Sequence, residues 1–165
     1  NDGHRLYAEQ IVGRIDAMKQ TYDNLDWRGL ADFYSADYQD ANGYHKEYAV
    51  RAWKWWLFRN NAFTMLRQIR WWDFSGYDKT GLVRMKMFCL FRACRYDDQP
   101  FGYGYDGTVR IPRNLDEEVV FTWKREGDGR WRIVGTDPSV PDFGEMLWNS
   151  RGEDCRLKLL SSRDF

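Results

Sequence analysis

The sequence predicts an α+β fold in which three N-terminal helices precede an antiparallel sheet. Apolar residues recur with a helical period up to about residue 61 and with a period of two from about residue 64. The 165 residues suit one domain with room for a substantial core. We find no internal repeat and no linker, so we expect a single domain over residues 1–165.

The first two helices are indicated by apolar stripes and by a capping residue. A helix over residues 5–22 is predicted because Ile11, Ile15, Met18 and Tyr22 recur at helical spacing. A second, short helix is predicted after Asp26, which is a suitable N-cap, and its apolar side holds Leu30, Phe33 and Tyr34. Residues 36–43 then indicate a short strand that ends at the turn signal Asn42-Gly43.

A third helix is predicted over residues 45–61, and its aromatic residues divide between two sides. At about 100° per residue, the buried face consists of Ala49, Ala52, Trp53, Trp56 and Asn60. Trp55 and Phe58 fall outside that face. Large aromatic residues on an outer face are usually covered, so we expect a predicted C-terminal helix near residues 143–148, or a second subunit, to contact them.

Four strands are predicted in the second half of the chain, over residues 64–74, 82–95, 117–126 and 130–137. The second of these has one nearly all-apolar face, which should pack against the helices: Val83, Met85, Met87, Cys89, Phe91 and Ala93. Residues 96–115 are rich in Gly, Tyr and Asp, and we expect a long loop there.

Composition narrows the classes of partner. The chain has 25 basic and 25 acidic residues, so no net charge favours nucleic acid, and we expect no nucleic-acid partner. No apolar stretch of about 18 residues exists, so we expect no membrane span. Cys and His residues show no metal-site spacing, and we expect no metal or cofactor. The missing initiator Met fits either a removed signal peptide or a trimmed start, and we favour an exported or periplasmic location over a cytoplasmic one.

The stretch "DNLDWRGLADFYSADYQDANGYHKEYAV" resembles the nuclear transport factor 2-like superfamily, which includes the SnoaL-like and ketosteroid-isomerase-like proteins and has the cystatin-like fold. The shared pattern is a helix with Asp26, Leu30 and Tyr34, a turn at Gly43, and a helix start at Lys46-Glu47. The final "DGRWRIVGTD" is similar to the last strand of that superfamily. The resemblance covers about residues 5–137 and leaves 138–165 as a C-terminal extension.

The resemblance implies a strongly bent sheet that wraps around the long helix as a cone with a pocket at its open end. Its expected lining is Trp53, Trp56, Met87, Cys89, Phe91, Phe121, Trp123 and Asp137. Ketosteroid-isomerase-like members use an Asp in this region as general base, which implies Asp40 as base with Tyr34 or Tyr38 as hydrogen-bond donor. The alternative for Asp40 is a solvated residue or a cap on the Asn42-Gly43 turn.

The other face of the long strand carries Phe88, Leu90 and Arg92 among basic residues. Members of the superfamily often dimerise through the sheet, and a mixed apolar and Arg surface suits such an interface. The leading hypothesis is a bacterial-type, non-catalytic binding or accessory module that holds a small apolar ligand or peptide in the cone. Two alternatives stay open: an isomerase- or cyclase-type enzyme with Asp40 as base, and a dimeric assembly module whose cone is filled by its own side chains.

Overall fold

The computed structural model describes residues 2–58, 62–98, 108–140 and 149–150. The three predicted helices precede the sheet, and a 3-10 turn follows the second of them. The elements are α1 (Asp2–Asp23), α2 (Trp27–Leu30), a 3-10 turn (Ala31–Phe33), α3 (Lys46–Phe58), β1 (Ala62–Asp73), α4 (Tyr77–Thr80), β2 (Leu82–Asp98), β3 (Thr108–Arg125), β4 (Trp131–Asp137) and β5 (Asn149–Ser150).

The predicted faces of the first two helices are confirmed. The four apolar residues of the α1 stripe are all buried. Asp26 is the N-cap of α2, and its Oδ1 accepts a hydrogen bond of 3.0 Å from the backbone N–H of Gly29. This contact satisfies one of the N–H groups that the start of a helix leaves without a partner.

The predicted strand over residues 36–43 is wrong. This segment runs beside β4, and the N–H groups of Ser35, Gln39 and Ala41 donate to three carbonyls of β4. Their spacing is uneven, so no regular ladder forms, and Gln39 makes only an isolated bridge to His45. The turn at Asn42-Gly43 is present, and Gly43 has a φ of 83°, a backbone conformation that favours glycine.

The sheet is curled and antiparallel with strand order β1-β2-β3-β4, and β5 pairs with β3. The long loop predicted over residues 96–115 is wrong for most of its length. β2 and β3 stay paired as far as Asp98 and Thr108, so most of the predicted loop belongs to the two strands. Residues 99–107 lie outside the described part of the chain.

The core lies between the concave face of the sheet and the helices. Alternate residues of β2 from Val83 to Phe91 are at most 1% exposed, as the period of two predicts. Among the described residues, no helix is long and apolar enough to cross a membrane.

The third helix buries the predicted residues Trp53 and Trp56. Phe58, on the opposite side, is 82% exposed, and Trp55 is partly buried. The C-terminal helix predicted to cover them falls on residues 143–148, which lie outside the described part of the chain.

Candidate functional site

Two of the three candidate catalytic residues meet inside the cone. The indole Nε1 of Trp53 donates a hydrogen bond of 2.8 Å to the hydroxyl of Tyr34. The rings of Tyr34 and Tyr38 pack edge to face, with centroids 5.0 Å apart. All three side chains are at most 2% exposed, so the predicted aromatic donors form one buried cluster.

Thr136 completes this cluster and was not predicted from the sequence. The hydroxyls of Tyr38 and Thr136 lie 2.8 Å apart and share a buried hydrogen bond. A register shift between Thr122 and Trp123 makes Phe121 face Thr136, so the alternation along β4 reverses after Ile133. Asp137, which was predicted to face the cone, is therefore exposed, while Thr136 is 3% exposed. The alternating pattern of the sequence could not show that Thr136 faces the cone, because a one-residue bulge exchanges the two faces of the strand.

Asp40 lies at the start of the turn that precedes α3 and is 7% exposed. Its Oδ1 accepts hydrogen bonds of 2.9 Å from the backbone N–H groups of Asn42 and Tyr44. This geometry is that of an Asx turn, in which the side chain imitates a backbone acceptor. The signal in the sequence is the Asn42-Gly43 pair two residues after the aspartate.

Burial governs the protonation of the tyrosine hydroxyls. Loss of solvation raises the pKa of Tyr34, and the nearby Tyr38 raises it further. Burial likewise raises the pKa of Tyr38, although the hydrogen bond between Tyr38 and Thr136 acts to lower it. Both hydroxyls are therefore neutral at physiological pH and act as hydrogen-bonding groups rather than as bases.

The other predicted pocket residues are packed against one another. Of the eight, the seven other than Asp137 are at most 4% exposed. The Trp53 ring lies 4.7 Å from Tyr22 and 5.3 Å from Phe91, measured between centroids. Cys89 is fully buried, and its Sγ lies 3.9 Å from the carbonyl oxygen of Met87, a weak contact.

The convex face of the sheet carries the three predicted interface residues, Phe88, Leu90 and Arg92, all partly buried. Arg70 stacks over the Phe88 ring at 5.4 Å and binds Glu118 through Nε at 2.9 Å. Lys86 contacts the other oxygen of Glu118 at 3.3 Å. Hydrogen bonds from Lys86 and Arg70 lower the pKa of Glu118, so this carboxylate stays charged.

A second polar cluster joins the 3-10 turn to the β3–β4 hairpin. The carboxylate of Asp32 accepts contacts from Arg132 at 2.9 Å and from Arg14 and Arg130 at 3.2 Å each. Arg132 also binds Asp128 at 2.8 Å. Partial burial alone would raise the pKa of Asp32, but the hydrogen bonds and charges of Arg132 and Arg14 together lower it. The hydrogen bond from Arg132 lowers the pKa of Asp128 to about 2.

Comparison with solved structures shows the fold. A conserved protein from Planctomyces limnophilus superposes with a TM-score of 0.56 at 11% identity, covering 79% of this chain and 94% of that one. A candidate dehydratase of the nuclear transport factor 2-like family from Streptomyces avermitilis superposes with a TM-score of 0.50 at 11% identity, covering 78% of this chain and 92% of that one. A Catenulispora acidiphila protein in complex with S-DNPA superposes with a TM-score of 0.50 at 17% identity, covering 81% of this chain and 91% of that one.

These superpositions confirm the predicted nuclear transport factor 2-like cone fold. At 11 to 17% identity they concern the fold alone. No protein-family model matches the sequence, and no curated protein sequence matches it.

Proposed function

We propose that this protein is a non-catalytic accessory module whose cone is its own hydrophobic core and whose recognition surfaces lie outside the cone. One observation carries this proposal. The predicted pocket residues on α3, β2 and β3 are between 0 and 4% exposed. Interior side chains with so little exposed surface leave a ligand no room unless they move apart.

The hydrogen-bonding partners of the candidate catalytic groups support a structural role. A general base needs a carboxylate that can reach a substrate proton, with a donor nearby to stabilise the product anion. Asp40 holds two N–H groups of its own turn, and Tyr34 and Tyr38 are bonded to Trp53 and Thr136. Each group therefore stabilises the fold, which favours the assembly hypothesis over the isomerase hypothesis.

The convex face supplies a surface on which a second copy can dock. Phe88 and Leu90 offer apolar area, and Glu118 lies between two cations, Arg70 and Lys86. A patch that combines apolar residues with Arg is typical of protein interfaces, and charges of both signs allow a twofold partner to complement the same patch. We therefore assign homodimerisation to this face.

A second candidate function is the binding of a small apolar ligand inside the cone. Its support is the complex of the Catenulispora acidiphila protein with S-DNPA, since that protein has the same fold. In the present chain such a ligand would have to displace interior side chains, Trp53 and Phe91 among them.

Native mass spectrometry with a denatured control separates these functions. We expect a dimer with no bound compound for the wild type. The change Leu90→Glu places a charge on the convex face and should give a monomer. The matched control Gln20→Glu adds the same charge at an exposed position of α1 and should remain a dimer. A co-purified mass that vanishes on denaturation would instead support the ligand function, and a monomeric wild type would overturn the assignment of the convex face.

A further inference from the structure

The outer side of α3 is exposed along its length. Glu47, Arg51, Lys54 and Phe58 follow one another at intervals of four, three and four residues, and all four are exposed. Residues at these intervals lie on the same side of a helix, and we call this surface the α3 outer face. Phe58 is 82% exposed, more than any other large apolar residue that the structure describes. Aromatic and arginine side chains are enriched where proteins contact one another, so this combination is typical of a recognition surface.

The short helix α2 adds two residues beside the α3 outer face. Trp27 is partly buried and packs against the core. The Nζ atom of Lys54 lies 4.7 Å from the centroid of the Trp27 ring, and the Cζ atom of Arg28 lies 5.2 Å from the same centroid. Cations are attracted to the electron-rich face of an indole ring. Trp27 therefore holds two like charges close together, although they repel each other.

The cations of this surface keep their charge for a partner. Among the described residues, Arg28, Arg51 and Lys54 form no ion pair. Glu47 lies one turn from Arg51 on the same helix but does not pair with it. The convex face differs, because its Glu118 binds two cations of the same sheet. The α3 outer face thus carries cations that no contact with a described carboxylate neutralises, in a chain whose 25 basic and 25 acidic residues balance overall.

An acidic protein segment fits these charges better than a nucleic acid or a membrane does. Unpaired cations attract an acidic surface and guide its approach. Binding of single-stranded nucleic acid relies on bases stacked on free aromatic rings, whereas the Trp27 ring already contacts two cations. Recognition of an anionic membrane usually takes a cluster of about four to eight cations. Three cations and one exposed aromatic side chain match a short segment of a protein instead.

We propose that the α3 outer face and Arg28 bind an acidic segment of a partner protein. The carboxylates of the segment contact Arg28, Arg51 and Lys54, and one of its apolar side chains packs on Phe58. Guanidinium groups bind carboxylates through two parallel hydrogen bonds, which suits the two arginines. This inference rests on the proposed function, in which recognition takes place outside the cone, and it uses a different surface from the convex face that we assign to dimerisation.

The test uses a phage-displayed library of random octapeptides selected on the full chain, followed by fluorescence anisotropy with the enriched peptide. We expect the enriched peptides to be acidic and to contain an apolar residue. The change Lys54→Glu places a like charge opposite the peptide and should weaken binding about tenfold or more. Phe58→Ala removes the apolar contact and should weaken binding about tenfold. Added salt should also weaken binding, because the charges are exposed to solvent.

Two control variants make the same kinds of change elsewhere. Lys79→Glu reverses an exposed cation of α4, and Leu6→Ala truncates a residue of α1 that is 51% exposed. Both should bind the peptide as the wild type does. Urea unfolding of all four variants should have the wild-type midpoint, since each changed side chain is exposed. A loss of binding without a loss of stability then separates recognition from folding.

Three results would overturn the inference: no enrichment of acidic peptides, equal peptide binding by Lys54→Glu and Lys79→Glu, or binding to phosphatidylserine vesicles that Lys54→Glu abolishes. A dimer that Phe58→Ala abolishes and Leu90→Glu preserves would show that a second copy occupies the α3 outer face instead. The two proposals fail separately, since a monomeric wild type or a co-purified compound would count against the proposed function without changing the peptide measurement.

Discussion

Two of the polar clusters in the described part of the chain have opposite physical character. Inside the cone, Tyr34, Tyr38, Trp53 and Thr136 form a neutral cluster joined by hydrogen bonds of 2.8 Å. At the β3–β4 hairpin, charged residues centred on Asp32 form a network of comparable distances on the surface. Contacts of similar length therefore contribute differently to stability, since burial makes the first cluster costly to disrupt and solvent screens the second.

The two clusters should also respond to pH in opposite directions. Burial raises the pKa of the tyrosines, so their contribution is complete below the ordinary tyrosine pKa and is lost as the pH rises. Ion pairs lower the pKa of Asp32 and Asp128, so their contribution is present at neutral pH and is lost on acidification.

The largest effect is expected from Trp53→Ala. Trp53 is fully buried and donates to Tyr34, so the change leaves a cavity and an unsatisfied hydroxyl. We expect the free energy of unfolding to fall by about 3–5 kcal/mol, measured by urea denaturation. Phe58→Ala is the matched control on the same helix. Phe58 is 82% exposed, so its replacement should change stability by less than about 0.5 kcal/mol. Equal losses would contradict a packed cone.

Alkaline pH should produce the next largest loss of stability. Stability measured between neutrality and alkaline pH should decline above about pH 10, because the unfolded chain ionises its tyrosines and the folded chain resists ionisation. The double variant Tyr34→Phe/Tyr38→Phe should show a shallower decline. An unchanged slope in this variant would mean that other groups produce the decline.

A smaller effect is expected from Tyr38→Phe, which removes the hydroxyl that Thr136 contacts at 2.8 Å. Leaving a buried polar group without its partner costs about 1–3 kcal/mol. Adding Thr136→Val should recover part of this loss, because both polar groups are then absent. Thermal or urea unfolding of the two single variants and the double variant measures the coupling. If the stability losses of the two single variants add up to the loss of the double variant, the two hydroxyls do not interact.

The smallest loss of stability is expected at acid pH. Asp32 and Asp128 should lose their contribution as the pH falls below about 4, the ordinary pKa of aspartate, toward about 2, the pKa of Asp128. We expect Asp128→Asn to flatten the acid limb of the stability curve, and added salt to reduce the difference between variant and wild type. A salt-independent difference would indicate that Asp128 acts through packing rather than charge.

Periodicity in the sequence determined which side chains are buried along α1, α3 and β2 from Val83 to Phe91. The spacing of Trp53, Trp56 and Phe58 was sufficient to separate two core residues from an exposed one, and the period of two placed Met87 and Cys89 inside. Asp26 was recognisable as an N-cap because its acceptor acts on its own helix. These features depend on neighbours a few residues apart, which the sequence displays directly.

The tertiary structure alone decided the contents of the cone and the character of the candidate site. A bulge in β4 exchanged Asp137 for Thr136, and the pairing of β2 with β3 continued into the segment that was predicted as a loop. Asp40 was recognisable as a base or a turn residue, and only the folded turn showed which groups its Oδ1 binds. The Asp40 turn joins residues two and four positions apart, whereas the pair of Tyr38 and Thr136 joins residues about a hundred positions apart. Local periodicity carries no information about those contacts, because it reports the face of one element and not the element that meets it.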